Sequence, residues 1–201
     1  MKSLILKPDE VQGILSGRQT QLRRPIKWEV HSKSDGCKRR VFLPKDIDAM
    51  NALLKERQRS PLCQFSPFGQ PGDRIACKET WAHHGSCACY RADGWTGLPD
   101  VGYKVHPPLT WKSPATMPQW ASRITLEVLS VRVERLQDIS EEDAKSGGID
   151  NLEIDPADGI LRKMTNGHRN NFVKQWQSDH GKDSWDRNDW TWILHFKRVK
   201  P

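Results

Sequence analysis

Between Arg123 and Leu136 the apolar residues alternate in one phase through Ile124, Leu126 and Val128. They then take the opposite phase through Leu129, Val131 and Val133. Strand side chains alternate faces with period two, so a change of phase means that one residue is skipped in the pairing. A bulge of this kind bends a long strand and lets a sheet turn a corner, as small barrels do. The other segments fit around such a strand. Ser3 to Leu6 reads as a first strand, and Pro8 opens a helix whose Val11, Ile14 and Leu15 share one face before Gly17 stops it. Turn formers over 67–74 launch a strand from Ile75 to Trp81. Ser140-Glu141-Glu142-Asp143 caps a helix that Gly147-Gly148 ends, and Phe172, Val173 and Trp176 mark another. Trp190, Trp192, Leu194 and Phe196 form a closing period-two strand. The pattern predicts an α+β chain, a small mixed β-barrel with flanking helices.

The stretch over 82–119 is rich in Gly, Pro and Trp, with short strands expected near Tyr90 and Tyr103; irregular stretches of this length often shape a binding surface. Residues 29–60 read as a basic insertion in a single domain spanning 1–201, with a Lys38-Arg39-Arg40 cluster and a charged helix from Asp46 to Arg59. Residues 1–60 carry fourteen Lys and Arg against seven Asp and Glu, so the whole net charge of +7 lies in this part. That asymmetry points to a basic face for nucleic acid. No apolar run is long enough to span a membrane, the first residues reach Lys7-Pro8 too soon for a signal peptide, and five cysteines do not read as a disulfide framework. A cytoplasmic protein with reduced thiols is expected.

The segment Gly17-Arg18-Gln19-Thr20-Gln21-Leu22-Arg23-Arg24 holds three arginines and no acid of its own. A guanidinium stays charged, and its planar donor fork suits phosphate or a base edge. The run from Pro8 through this segment to Pro25 resembles the opening of the ASCH domain family, in particular its phage and prophage members. So do Gly69-Gln70-Pro71-Gly72-Asp73-Arg74 leading into Glu79-Thr80-Trp81, then Tyr90 to Gly94, Met117 to Ile124, Arg135 to Ala144, and the Trp190-Thr191-Trp192 strand. The resemblance implies a PUA-like β-barrel with a cleft between barrel and first helix, lined by the Gly17–Arg24 segment. It also implies binding of RNA, single-stranded nucleic acid or a modified nucleotide. Some small relatives hydrolyse the acyl amide of acetylated cytidine with a Lys, a Thr and a Glu. Against the family pattern Gly-x-Lys-x-x-Thr-x-Arg, the lysine place here is Gln19 and the threonine place is Leu22. Arg24 matches, Thr20 is the nearest hydroxyl, and Glu79 fits the acidic place.

Gln19 cannot act as a base and Leu22 cannot act as a nucleophile, so the segment suits binding better than hydrolysis. The expected ligand contacts are Arg18, Gln19, Thr20, Arg23, Arg24, Glu79, Trp81 and Arg123. Arginines would engage phosphate or base, Gln19 and Glu79 would read polar edges, and Glu79 would pair with Arg23 or Arg24. Trp81, Trp95, Trp111 and Trp120 either stack on unpaired bases or plug the core; Trp120 and Trp192 are expected in the core. His83-His84 with Cys87-Ala88-Cys89 lacks the ligand spacing of a structural zinc site, and no nucleotide-cofactor fingerprint is present, so neither metal nor cofactor is expected. Two other functions remain open. One is an amidohydrolase or ribonuclease using Glu79, and the other is a phage accessory protein whose partner is another protein.

Overall fold

The computed structural model describes residues 2–26, 29–34, 37–42, 66–84, 87–94, 109–154, 161–163 and 167–199. The expected strand near Tyr103, the helix over 46–59 and Trp95 lie outside these residues. The centre is a five-stranded mixed sheet of β1 (Lys2–Ile5), β2 (Gln21–Pro25), β5 (Arg74–Lys78), β8 (Thr125–Arg135) and β11 (Trp190–Val199), in the order β1-β5-β8-β11-β2. β1 runs parallel to β5, and the other pairings are antiparallel. Three two-stranded pairs lie outside the sheet: β3 (Glu29–Ser34) with β4 (Cys37–Phe42), β6 (Trp81–His84) with β7 (Cys87–Tyr90), and β9 (Leu152–Ile154) with β10 (Leu161–Lys163). The helices are α1 (Pro8–Leu15), α2 (Glu141–Ser146) and α3 (Gly167–His180).

The phase change in β8 is a break in register. His195 pairs with Ser130 and Phe196 with Val128, so Leu129 is passed over and stands half exposed. The bulge lets both halves of β8 face the same core, where Leu126, Val128 and Val131 pack with Leu22, Trp192, Leu194 and Phe196. α1 covers this core with Val11 and Ile14, both buried. Gly17 follows its C-cap at φ +75°, a left-handed conformation that a Cβ disfavours.

The opposite face is polar. Gln21 and Arg23 of β2, Thr191 and His195 of β11, and Arg132 and Glu134 of β8 share it by register. α2 lies over this face, its N-terminus capped by Ser140, whose hydroxyl accepts from the Asp143 N–H. The chain is α+β, as expected, built on a mixed sheet; among the described residues no hydrogen bonds join β1 to β2, so these two strands are its edges and a closed barrel is not seen. The opening is the cleft described next.

Candidate nucleobase cleft

A cleft of about 800 Å³ runs along the free edge of β2. Its walls come from Arg18, Gln19 and Gln21 to Arg24, from Lys7, Asp9, Glu10 and Gln12 at α1, from Asp143 and Gly147 to Asp150 around the end of α2, and from α3. Ile5 of β1 also lines it, so both sheet edges reach the same space. On α3, Phe172, Trp176 and His180 recur every fourth residue and form one aromatic stripe, with ring centroids 5.6 and 4.3 Å apart. Trp176 is buried. Gln12, Gln19, Asn171 and Gln175 bring amides to the lining.

The expectation of arginines without acids is corrected, because acids distant in sequence neutralise each one. Exposed Arg18 pairs with Asp150 at 2.8 Å. Arg24 places Nη1 and Nη2 on the two carboxylate oxygens of Glu10 at 2.7 and 2.8 Å. Glu10 also accepts the Lys7 N–H, so one side chain ties the start of α1 to β2. Arg23, with 3% of its side chain exposed, donates from Nη2 to Asp143 at 2.8 Å and Glu134 at 3.3 Å, and from Nε to Gln21 at 3.2 Å. Lys7 pairs with Asp179. The lining therefore holds five carboxylates against four Lys and Arg, and it is not a basic trough.

Around Arg23 the polar face forms a closed network. Arg132 donates Nη2 to both Asp143 oxygens at 2.9 and 3.1 Å and Nε to Glu134. Gln21 donates to Asp143 at 2.7 Å. Burial opposes ionisation of Asp143, but the Gln21 hydrogen bond and the Arg132 and Arg23 charges outweigh it and hold the carboxyl below its ordinary range. Burial lowers the pKa of Arg23, while Asp143 and Glu134 oppose that shift. Burial first and the Arg132 charge second keep His195 below the ordinary imidazole value. Its Nε2 faces Arg132 Nη1 at 2.8 Å and Gln21 Nε2 at 3.3 Å, so it serves as an acceptor.

Gln19 lines the cleft but is packed as a strut. Its amide N–H donates to the Gln21 carbonyl, and a Cβ at Gly13 would stand 2.9 Å from its Oε1. Leu22 is a core residue. Thr20 is exposed and contributes its backbone, donating to Ser146 O and accepting from Phe196 N–H; it is not among the lining residues.

The pairing of Glu79 with Arg23 or Arg24 is also corrected. Ala76 of β5 is in register with Thr125 of β8, so the residues just past that register point, Glu79 and Arg123, meet at the same end of the pair. Arg123 donates Nε and Nη2 to the two Glu79 oxygens at 2.8 and 2.9 Å, reaches Asp93 at 2.8 Å, and lies 3.9 Å from the Tyr90 ring centroid. Burial lowers the Arg123 pKa, but hydrogen bonds to Glu79 and Asp93 more than reverse this and raise it. Glu79 is 3% exposed and does not line the cleft. Cys77 senses both ion pairs: burial first, then the charges of Glu79 and Glu10, push its thiol up to about 12.

Trp81 does not form an open stacking surface. It is 5% exposed, packs edge-on against Trp120 and receives Lys112 over its ring. Trp120, expected inside, is 62% exposed, because the turn over Gln119–Ala121 carries Ala121 inward instead. Trp192 is in the core. Among the described residues no group of three or more His, Cys, Asp or Glu is placed to hold a metal ion. No protein-family model, curated protein or solved structure matches the chain.

The sequence reading missed Glu10, Gln21, Asp143 and the α3 stripe. The stripe had a signal, since Phe172, Trp176 and His180 keep helical spacing. Asp143 had none, because a helix-capping acid looks the same whether or not it also receives two guanidinium groups.

Proposed function

We propose that the chain is an ASCH-type, PUA-like protein that recognises a nucleobase in this cleft, as a modified nucleotide or as an unpaired residue of RNA. The observation that carries the proposal is the composition of the walls, in which an aromatic stripe on α3 faces a space edged by amides and fixed guanidinium groups. Bases stack on rings for about 1–3 kcal/mol each, and amide and guanidinium donors read their edges. Pairing of every cleft arginine with an acid disfavours a phosphate-dominated contact and favours a ligand recognised by shape and hydrogen bonds. The hydrolytic alternative has less support, since Gln19 and Leu22 occupy the lysine and threonine places and Arg123 holds both Glu79 oxygens.

The test is titration of the protein with a panel of nucleosides and with a short single-stranded RNA that carries phosphates, read by tryptophan fluorescence, for wild type and Phe172→Ala. Saturable nucleoside binding that weakens about tenfold in the variant and changes little between 50 and 300 mM salt is expected. Binding that collapses with salt and is indifferent to Phe172 would refute the reading in favour of a phosphate contact.

A further inference from the structure

Among the described residues three large apolar side chains stand exposed: Ile5, Trp120 and Leu129. The bulge in β8 accounts for Leu129, and Ile5 lines the cleft. Trp120 belongs to neither the core nor the cleft, yet it is held in place. Trp81 and His83 each meet it at a near-perpendicular angle, with ring centroids 6.1 Å away. Trp81 in turn donates its Nε1–H to Thr116 Oγ1 at 3.4 Å. Two lysines flank this cluster. Lys112 lies 5.1 Å over the Trp81 ring, and Lys78 donates to the carbonyl of Ala115, the neighbour of Thr116. The described residues over 78–84, 87–94 and 109–123 carry four Lys and Arg against two acids, Glu79 and Asp93, and Arg123 holds both acids. Neither lysine pairs with a carboxylate among the described residues. The surface adjoins the cleft, since Lys78 is in register with Ile5 and the cleft residue Gln12 donates to the Ala92 carbonyl.

We propose that Trp120 is a stacking platform for a further base of a single-stranded nucleic acid, whose phosphates meet Lys78 and Lys112 as the strand leaves the cleft. The inference rests on the cleft being a nucleobase site, and it makes the ligand a nucleotide within a strand. An exposed indole fixed by its neighbours offers a base a flat partner with little ordering cost. The cations of the cleft are spent on acids, so a strand finds unneutralised charge at these two lysines instead. An acidic peptide would match the lysines but brings no planar base to the indole.

The test adds oligouridylate and oligoadenylate to the nucleoside titration, read by fluorescence anisotropy at about ten nucleotides, a length that one small domain can cover. For the tighter strand, Trp120→Ala should weaken binding about tenfold, while Trp120→Phe keeps most of the affinity and nucleoside binding is unchanged. Between 50 and 300 mM salt, strand affinity should fall about tenfold, as two phosphate contacts on a single strand imply. Replacing both lysines, Lys78→Gln with Lys112→Gln, should remove most of that fall. Strand binding that is indifferent to Trp120, or no tighter than nucleoside binding, would overturn the inference and leave the cleft a nucleobase site. Strand binding that needs Trp120 while no nucleoside binds would refute the cleft and, with it, the strand shared between the two places. Absence of all binding would refute both. Polyglutamate that displaces the strand at equal charge concentration would overturn the nucleic-acid assignment in favour of an acidic peptide.

Discussion

Replacing Glu79 by alanine separates a structural carboxylate from a chemical one. Both Glu79 oxygens are held by Arg123 at 2.8 and 2.9 Å, and 5% of the Glu79 side chain and 24% of the Arg123 side chain are exposed. Removing one member of a desolvated pair strands the other, which typically costs about 3–5 kcal/mol. Asp93 remains on Arg123 in the variant, so the lower end of that range is expected. With a urea dependence of about 2 kcal/mol per molar, the unfolding midpoint should fall by about 1.5 M. Arg123→Ala should also destabilise, and the double variant should lose less than the sum of the singles, because the stranded charge is gone. Nucleoside affinity of the folded fraction should be unchanged, since Glu79 does not line the cleft. The assay is urea denaturation followed by tryptophan fluorescence, with nucleoside titration of each variant below its transition. A Glu79→Ala protein that is as stable as wild type but no longer binds or turns over nucleosides would refute this reasoning and restore Glu79 to the site.

Further outcomes follow from the same contacts. The folded-state pKa of His195 is depressed, so the unfolded chain takes up its proton first and stability should fall as pH drops below about 6.5. His195→Gln should flatten that part of the urea midpoint profile, leaving the share of His180, which burial and Lys7 also depress. Asp143 is depressed as well, so its contribution is present above about pH 4 and is lost as pH falls below that through its folded value. The same profile for Asp143→Asn should lack this acid limb. Cys77, pushed up to about 12 and buried, should resist iodoacetamide at pH 8 in the folded protein, while exposed Cys87 is alkylated, as peptide mass spectrometry would show. Gly148→Ala should destabilise by about 1–2 kcal/mol in thermal melts, since Gly148 has φ +80° and a Cβ there would stand 3.1 Å from Gln19 Cβ.

Local patterns carried the elements well. Proline and glycine at its ends bounded α1, Ser140 announced α2, and the phase change at Leu129 announced a bulge. Each is a short-range effect of backbone conformation or of a two-residue repeat. The site was read less well. Arg18, Arg23 and Arg24 do line the cleft, as the segment promised, but each faces an acid that the sequence keeps elsewhere. Trp81 and Trp120 exchanged their expected places, because composition cannot say which ring a turn carries inward.

Taken alone, the chain determined the bounds of α1 and α2, the bulge in β8 and the closing strand, and that three cationic side chains follow the first helix; it did not announce β2, and the strand expected from Ile75 to Trp81 stops at Lys78. Backbone sterics and side-chain periodicity act over a few residues, so they can be read along a line. Only the tertiary structure decided how charges more than a hundred residues apart cancel, and which strands are the edges of the sheet. Coulomb forces and hydrogen bonds depend on distance through space, and that distance exists only once the sheet has folded.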